Sequence, residues 1–197
     1  GQNFELSYDY SAKGLAESYA QSQLRLGQSS IDALIIHDLD HEYHGTKFET
    51  YYKQLTKSGL SYLNDLKSSG EISSIGMGIN ALIDFEFFAE SIDIDFFLVA
   101  MPYTLLDQKS LHTAMKVCIE RGVKIVLGAP FASGLLTNPD NPEVRYNYGP
   151  VPRKVRARAV ELQKCCKDFH VPLMAAALQF PLFHPAVCSI VPGARTA

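Results

Sequence analysis

A histidine at the end of an apolar run is the residue of this sequence best placed to do chemistry. The run Ile31–Asp40, IDALIIHDLD, sets His37 directly after Ala33, Leu34, Ile35 and Ile36. Such runs are typical of parallel strands buried on both faces, and α/β barrels carry catalytic groups at the carboxyl ends of those strands. There a histidine can donate a hydrogen bond to a substrate oxygen or move a proton near neutral pH. A histidine satisfied in the core fits the position equally well.

The residues after His37 include the side-chain types that bind metal ions. They are Asp38, Asp40, His41, Glu42 and His44. Carboxylate and imidazole groups suit several divalent metals, so metal-dependent hydrolysis is one alternative for this site. Their spacing is irregular, however, and charged side chains usually lie at the surface. We therefore interpret the segment as a solvated loop and predict no metal site.

Two later turns have the composition of phosphate-binding loops. They are Gly128–Leu136, GAPFASGLL, and Val191–Arg195, VPGAR, and each begins where a predicted strand ends. Small residues let backbone amides approach a phosphate closely, and the arginine adds a cation that can bind it through paired hydrogen bonds. In α/β barrels the loops after the last two strands frequently bind phosphate. Each turn alone is equally compatible with a plain connection.

Strand and helix patterns alternate along the chain, which predicts an α/β protein with parallel strands and right-handed crossovers. Buried strands are predicted at Ile31–His37, Ile72–Gly78, Asp95–Met101, Val123–Ala129 and Val187–Val191. Helices are predicted at Ser11–Leu26 with Ser11 as N-cap, and at Tyr51–Ser68, Ala81–Glu90, Lys109–Arg121, Arg153–Phe169 and Leu173–Leu182. No low-complexity linker interrupts residues 1–197, so we predict a single domain.

Composition excludes several classes of protein. The 197 residues carry a net charge of −3, which gives no overall attraction to nucleic acid or an anionic membrane. The basic run of Arg153, Lys154, Arg156 and Arg158 lacks interleaved aromatics, so we interpret it as a solvated helix face. No apolar stretch reaches the roughly 20 residues of a membrane helix. The four cysteines match no zinc or disulfide framework, which predicts reduced thiols in a cytoplasmic protein.

The alternation fits either a doubly wound sheet or part of an eight-stranded barrel. No GxGxxG follows a predicted strand, which argues against a Rossmann unit. We therefore favour the barrel, although five strands do not complete one. One long irregular segment, Ser133–Pro152, follows a strand, and loops of this kind are typically functional.

Several segments together resemble the aldo-keto reductase superfamily, in particular its branch of D-threo-aldose 1-dehydrogenases, also called L-fucose or L-galactose dehydrogenases. Pyridoxal 4-dehydrogenases are near the same branch. The matching segments occur in family order and are GLAESYAQSQLRLG, IDALIIHDLD, SSIGMGIN, PYTLLDQ, GAPFASGLL and AAALQFPLFHPAVCSIVPGAR. They extend over nearly the whole chain, from about Ser7 to Arg195.

The resemblance implies a (β/α)8 barrel that binds NAD or NADP and a catalytic tetrad of Asp, Tyr, Lys and His. By motif, His37 is the tetrad histidine and Asn80 is near the residue that binds the nicotinamide carboxamide. The cofactor-binding loops correspond to Ala129, Pro130, Phe131, Ser133 and Gly134, and to Pro192, Gly193, Ala194 and Arg195. Two positions depart from most of the superfamily, since Ala100 replaces a glutamine and Gly128 a stacking tyrosine. Both departures are typical of the aldose dehydrogenase branch.

The first three strands of the family, which carry the tetrad Asp, Tyr and Lys, match nothing in this sequence. We therefore expect the chain to contain the fourth to eighth strands of a longer barrel enzyme. The implied reaction is oxidation of an aldose at C1 to a lactone by hydride transfer to NAD or NADP, with a small sugar or aldehyde as substrate. The alternative is a truncated, inactive homologue with a binding or structural role. Two open strand edges would make a homodimer compatible with either.

Overall fold

The protein is described by a computed structural model, which covers residues 7–147 and 149–193. The chain divides into two compact units, Gly1–Met77 and Gly78–Ala197. Two of the residues predicted to bind a cofactor, Ala194 and Arg195, lie outside the described residues. Within the described part of the chain, no helix combines the length and the apolar character that crossing a membrane requires.

The first unit begins with the predicted helix, α1 (Ala12–Leu26). The Ser11 side chain accepts a hydrogen bond from the Gly14 amide and so caps the helix, as predicted. Gly27 ends α1 in the left-handed conformation, with φ of 64°, which glycine adopts without a steric penalty. The Ser11 cap and the end of the helix at Leu26 are therefore as predicted, and Gly27 accounts for that end.

Two parallel strands follow α1 in the chain, β1 (Ala33–Ile36) and β2 (Ser74–Ile79). Their register pairs Ala33 with Ser74 and Ile36 with Met77. The prediction of a β1 strand buried on both faces is wrong for the described chain. Ile36 is 4% exposed but Ile35 is 41% exposed, because successive side chains point to opposite faces and the first unit covers only one of them.

The segment between these strands is more helical than predicted. A short helix, α2 (His41–His44), forms where the sequence suggested a loop, because the Asp40 carboxylate accepts a hydrogen bond from the Tyr43 amide at 2.6 Å. A 3-10 turn, Gly45–Lys47, leads into α3 (Phe48–Gln54). A π-turn, Leu55–Gly59, then connects α3 to α4 (Leu60–Ser68). The helix predicted from Tyr51 therefore starts earlier and contains one wide turn.

The second unit is built on three parallel strands, β3 (Phe96–Ala100), β4 (Lys124–Gly128) and β7 (Val187–Val191). Phe96 pairs with Lys124 and Ala100 with Gly128, while Ile125 pairs with Val187 and Gly128 with Val191. Its helices are α5 (Leu82–Ser91), α6 (Ala114–Arg121), α7 (Arg153–Asp168) and α8 (Leu173–Gln179). Phe85, Phe88 and Phe97 are among its largest fully buried side chains.

Two helices of this unit are shorter than predicted. Lys109–His112 forms a 3-10 turn, and Thr113, with φ of −118° and ψ of −106°, separates it from α6. At the other end of the unit, α8 stops at Gln179 and a 3-10 turn, Phe180–Phe183, follows. Pro181 lies in that turn and has no amide hydrogen to continue an α-helical ladder.

The long segment after β4 is fixed by specific contacts. It contains a small hairpin, β5 (Arg145–Tyr146) and β6 (Gly149–Pro150). The Arg156 guanidinium of α7 donates hydrogen bonds to the carbonyl oxygens of Pro139 and Asn141. Arg156 therefore has a structural contact, and the basic run of α7 is not uniformly solvated as the sequence suggested.

His184 makes the stability of the second unit sensitive to acid. It is 8% exposed and its Nδ1 accepts a hydrogen bond from the Ala186 amide at 3.3 Å, so the ring is neutral in this contact. Burial lowers the pKa of His184 below its usual value. Its contribution to stability is therefore complete above the unfolded pKa of about 6.5 and is lost as the pH falls toward the folded pKa.

We expect the free energy of unfolding to decrease as the pH is lowered from about 7.5 to about 5.5. The decrease should be smaller in a His184→Gln variant. Urea denaturation at the two pH values measures both. The exposed His112→Gln is the control. If the two variants show the same pH dependence, burial of His184 is not the cause.

Candidate functional site

His37 directly follows the last residue of β1, and its side chain is 69% exposed. In the described chain, this exposure excludes the alternative that His37 is a buried core histidine. Its Nδ1 is 2.8 Å from Oδ1 of Asp38. A carboxylate oxygen only accepts, so Nδ1 carries the hydrogen and, in the neutral ring, Nε2 keeps its lone pair. Asp38 thus polarises the ring, and Nε2 can accept a hydrogen bond from a ligand.

The backbone of His37 is held by a buried tyrosine. The Tyr10 hydroxyl donates to the His37 carbonyl oxygen at 2.9 Å and lies 3.1 Å from Nε2 of His44. Because the single phenol hydrogen goes to the carbonyl, His44 Nε2 must be the donor in the second contact. Burial, and secondarily the Asp38 charge, raises the pKa of Tyr10, so its hydroxyl stays protonated at neutral pH.

The segment that carries Tyr10 lies against the π-turn. The Tyr10 amide donates to the Gln54 side-chain oxygen and the Ala12 amide donates to the Ser58 hydroxyl, each at 3.2 Å. A Cβ atom added to Gly59 would be 2.3 Å from the Tyr10 carbonyl oxygen. The backbone of the π-turn therefore lies close to the backbone of Tyr10, and any residue larger than glycine at position 59 would prevent this contact. Wide turns of this kind often occur near functional sites.

An aromatic cluster surrounds Tyr10. The Tyr8 hydroxyl donates to the Tyr43 hydroxyl at 2.6 Å, and the rings of Tyr8 and His44 have centroids 4.8 Å apart. Tyr51 lies 4.6 Å from His44 between ring centroids. Sequence analysis missed this cluster, although the density of tyrosine on both sides of β1 was a visible signal.

His37 opens onto a groove of about 960 Å³ within the first unit. The same groove is lined by Tyr8 and Tyr10, by Ile35 of β1, and by Leu24 of α1. Its size is within the range of pockets that bind small molecules. The first unit thus places a polarised histidine in the lining of this groove.

The metal alternative has no support in the described chain. His44 contacts Tyr10, and the His41 ring stacks on Phe48 with centroids 3.6 Å apart. Among residues 7–147 and 149–193, no group of three or more His, Cys, Asp or Glu side chains is arranged to bind a metal ion.

In the second unit, the two glycine-containing turns lie at one edge of the sheet. Ala100, Gly128 and Val191 end three neighbouring parallel strands in register. The turns that follow Gly128 and Val191 therefore begin side by side. A Cβ atom on Gly128 would be 3.7 Å from Cβ of Ala100, so the two positions that depart from most of the superfamily are direct neighbours.

The turn after β4 contains four residues with a left-handed backbone. Ala129, Ala132, Ser133 and Gly134 all have positive φ, of 50°, 49°, 57° and 98°. The amides of Ala132 and Gly134 donate to carbonyls within the turn and are not available to a ligand. Ser133 is exposed, and among the residues described its amide and hydroxyl have no hydrogen-bond partner. The turn thus offers fewer amides than its composition suggested.

The remaining predicted cofactor residues differ in exposure. Pro192 and Gly193 follow β7, and a Cβ atom on Gly193 would have no neighbour within 4 Å. Asn80 follows the last residue of β2 and is also exposed. Pro130 is buried and Phe131 is half-buried, so these two support the turn.

Removal of the Tyr10 hydroxyl tests the support of His37. We expect Tyr10→Phe to lower the free energy of unfolding by about 1 kcal/mol, because the His37 carbonyl and His44 Nε2 each lose a buried partner. Tyr43→Phe, at a side chain that is 55% exposed, is the matched control and should change it less. Urea denaturation measures both variants. Equal losses of unfolding free energy would show that the two Tyr10 hydrogen bonds stabilise the protein no more than an exposed one does.

Comparison with known proteins places these features in a family. The Aldo/keto reductase family profile matches residues 3–197. The chain is 38% identical over 197 residues to a pyridoxal 4-dehydrogenase of Microbacterium luteolum, covering 100% of this chain and 58% of that protein. It is 32% identical over 187 residues to a D-threo-aldose 1-dehydrogenase of a Pseudomonas species, covering 94% and 54%. The chain thus spans little more than half the length of these relatives.

Solved structures agree on the fold. An aldo-keto reductase from Bacillus halodurans in its holo form has a TM-score of 0.68 at 23% identity, covering 96% of this chain and 59% of that chain. A glycerol dehydrogenase from Gluconobacter oxydans has a TM-score of 0.71 at 16% identity, covering 98% and 58%. At these identities the likeness shows the fold alone, which is the α/β fold predicted from the sequence. By its profile match over nearly every residue, the chain belongs to the aldo/keto reductase family.

Proposed function

We propose that the whole protein is an NAD(P)-dependent oxidoreductase that oxidises a cyclic hemiacetal to a lactone. The family and its dehydrogenase relatives support the reaction class. The observation in this chain that supports it best is His37, exposed after β1 and polarised by Asp38 at 2.8 Å. Its Nε2 can accept a hydrogen bond from a substrate hydroxyl.

Oxidation of a hemiacetal removes a hydride from carbon and a proton from the hydroxyl on that carbon. His37 Nε2, with its lone pair, accepts a hydrogen bond from this hydroxyl and orients it. The Asp38 carboxylate, 2.8 Å from Nδ1, fixes the tautomer in which Nε2 is the acceptor, while the tetrad tyrosine implied by the resemblance would take the proton. Tyr10 keeps the His37 backbone in place while the proton moves. Orientation of the substrate hydroxyl is the role that the resemblance implies for the tetrad histidine.

NAD(P), when bound, supplies the hydride acceptor. The turn after β4 fits a phosphate-bearing group, since Ser133 offers an unpartnered amide and hydroxyl on an exposed, left-handed backbone. We propose that the cofactor is held by Asn80 and by the two turns, Ala129–Gly134 and Pro192–Arg195. In this proposal Arg195 is the residue that would meet a 2′-phosphate.

The substrate class follows from what the named relatives share. The sequence pointed to an aldose, while the identity to the pyridoxal 4-dehydrogenase is 38% and that to the aldose dehydrogenase is 32%. Aldoses and pyridoxal both close into rings that carry a hemiacetal carbon. We therefore propose a cyclic hemiacetal as the substrate, with pyridoxal and L-fucose as the two forms to compare. The inactive alternative has no support in these comparisons.

Initial rates of NAD⁺ and NADP⁺ reduction by the whole protein test this proposal. Pyridoxal and L-fucose are compared with benzaldehyde, which cannot form an internal hemiacetal. We expect at least one hemiacetal to be oxidised, and benzaldehyde not to be. Oxidation of benzaldehyde at an equal rate would contradict the substrate class, and no reduction of either cofactor would contradict the reaction. We retain a cytoplasmic location and a homodimer as further proposals, tested by cell fractionation and light scattering.

A further inference from the structure

The second unit contains a cavity that the proposed reaction does not use. It has a volume of about 510 Å³ and lies between the Leu106–Lys109 segment, Tyr146 of β5 and the first turns of α7. Its lining residues are Leu106, Asp107, Gln108, Lys109, Tyr146, Lys154, Val155 and Arg158. Three of these are cations and one is an anion, so the lining has a net charge of +2.

Two of the cations lie on the same face of α7. Lys154 and Arg158 are four residues apart, both are exposed, and neither has an ion-pair partner among the residues described. Like charges at this spacing repel and destabilise a helix slightly. The first turn of a 16-residue helix adds the positive end of its dipole at the same place. An anion between the two side chains would relieve this repulsion.

The cations in this part of α7 differ in their contacts. Arg156, between them in sequence, faces the Pro139 and Asn141 carbonyl oxygens and is engaged by the chain itself. Lys154 and Arg158 have no such contact and face the cavity instead. The structure therefore separates one structural cation from two that are available to a ligand.

The opposite wall has a mixed character that suits a ring. Lys109 is paired with Asp107 at 3.1 Å, and Asp107 also accepts from the Lys109 amide, so this pair is already satisfied. Val155 is half-buried and gives apolar surface, whereas Leu106 is 4% exposed and belongs to the core beneath it. Burial raises the pKa of Tyr146, so its phenol is neutral at physiological pH and can both stack and hydrogen-bond.

We propose that this cavity binds a phosphate monoester of a small ring compound. The phosphate lies between Lys154 and Arg158, where arginine can bind two of its oxygens and lysine acts as a point charge. The ring lies against Val155 and Tyr146. No step of the oxidation involves the cavity, so its binding can be measured separately from turnover.

Titration calorimetry of the protein with phenyl phosphate tests the proposal, with inorganic phosphate and phenol as partial ligands. We expect phenyl phosphate to bind more tightly than phosphate, and phenol not to bind. Lys154→Ala/Arg158→Ala should raise the Kd for phenyl phosphate about tenfold or more, because two charge-assisted contacts are lost. The matched control is Lys164→Ala/Lys167→Ala, which removes two exposed cations of α7 outside the cavity and should leave the Kd unchanged.

Three results would overturn the proposal. Equal weakening by both double variants would show only general attraction to a basic helix. Equal affinity for phosphate and phenyl phosphate would show that no ring is bound. Displacement of phenyl phosphate by saturating NADP⁺ would assign the cavity to the phosphates of the dinucleotide. Tighter binding of phenyl phosphate that only Lys154→Ala/Arg158→Ala weakens, and that NADP⁺ leaves intact, would support the proposal.

Discussion

Replacing His37 by alanine should lower the turnover number of the whole enzyme at least about tenfold, the lower part of the range for a lost proton-transfer or hydrogen-bonding group. The reason is that His37 is the exposed, Asp38-polarised imidazole at the carboxyl end of β1. Stability should change little, because the side chain is 69% exposed and Tyr10 binds the His37 backbone, which alanine retains. Steady-state rates with the better hemiacetal substrate measure the effect.

The matched control for this variant is His112→Ala, which removes another exposed histidine, in the second unit. We expect His112→Ala to leave the turnover number unchanged. An unchanged turnover number in His37→Ala would remove His37 from the mechanism. A fall in both variants of equal size would indicate a general loss of folded protein, which far-UV circular dichroism would reveal.

Replacing Gly59 by alanine should cost about 2–4 kcal/mol of unfolding free energy, a range typical of overpacking against a part that cannot move. The added Cβ would be 2.3 Å from the Tyr10 carbonyl oxygen and 3.0 Å from Cδ1 of Leu15. The leucine can shift, but the carbonyl belongs to a backbone segment held by hydrogen bonds to Gln54 and Ser58. Urea denaturation measures the loss.

Replacing glycine by alanine in a helix ordinarily stabilises a protein, whereas here we expect it to destabilise the protein. Gly59 has a helical conformation, with φ of −63°, and alanine is normally favoured over glycine in a helix by about 1 kcal/mol. Gly149→Ala is the control, because its Cβ would make only ordinary contacts at 3.8 Å and beyond. A Gly59→Ala protein as stable as the wild type would show that the π-turn and Tyr10 do not approach as closely as described.

Local signals predicted the parts of the fold that local interactions determine. The Ser11 cap and the apolar strands are each encoded within a few neighbouring residues, and the structure confirms them. The α2 helix was missed because the segment was interpreted from its charge, while the Asp40 cap that starts the helix depends on one side-chain contact. The α8 boundary was missed although Pro181 signalled it.

The candidate site shows the same division. The position of His37 after a strand could be predicted, because strand ends are visible in the pattern of apolar residues. Its contact with Tyr10 could not, because the two residues are 27 positions apart and the acceptor is a backbone carbonyl, which carries no residue identity. Likewise, Arg156 and Arg158 are equivalent in a charge pattern, and only the folded loop at Pro139 distinguishes them.

Transfer of a deuterium label is the measurement that tests the proposed reaction most directly. The whole protein is incubated with NAD⁺ or NADP⁺ and with pyridoxal or L-fucose that is deuterated at the hemiacetal carbon. We expect the deuterium to be recovered in the reduced cofactor, with a slower rate than for the unlabelled substrate, and a lactone as product. Deuterium found in water, or a lactone formed without reduced cofactor, would contradict hydride transfer and with it the proposed function.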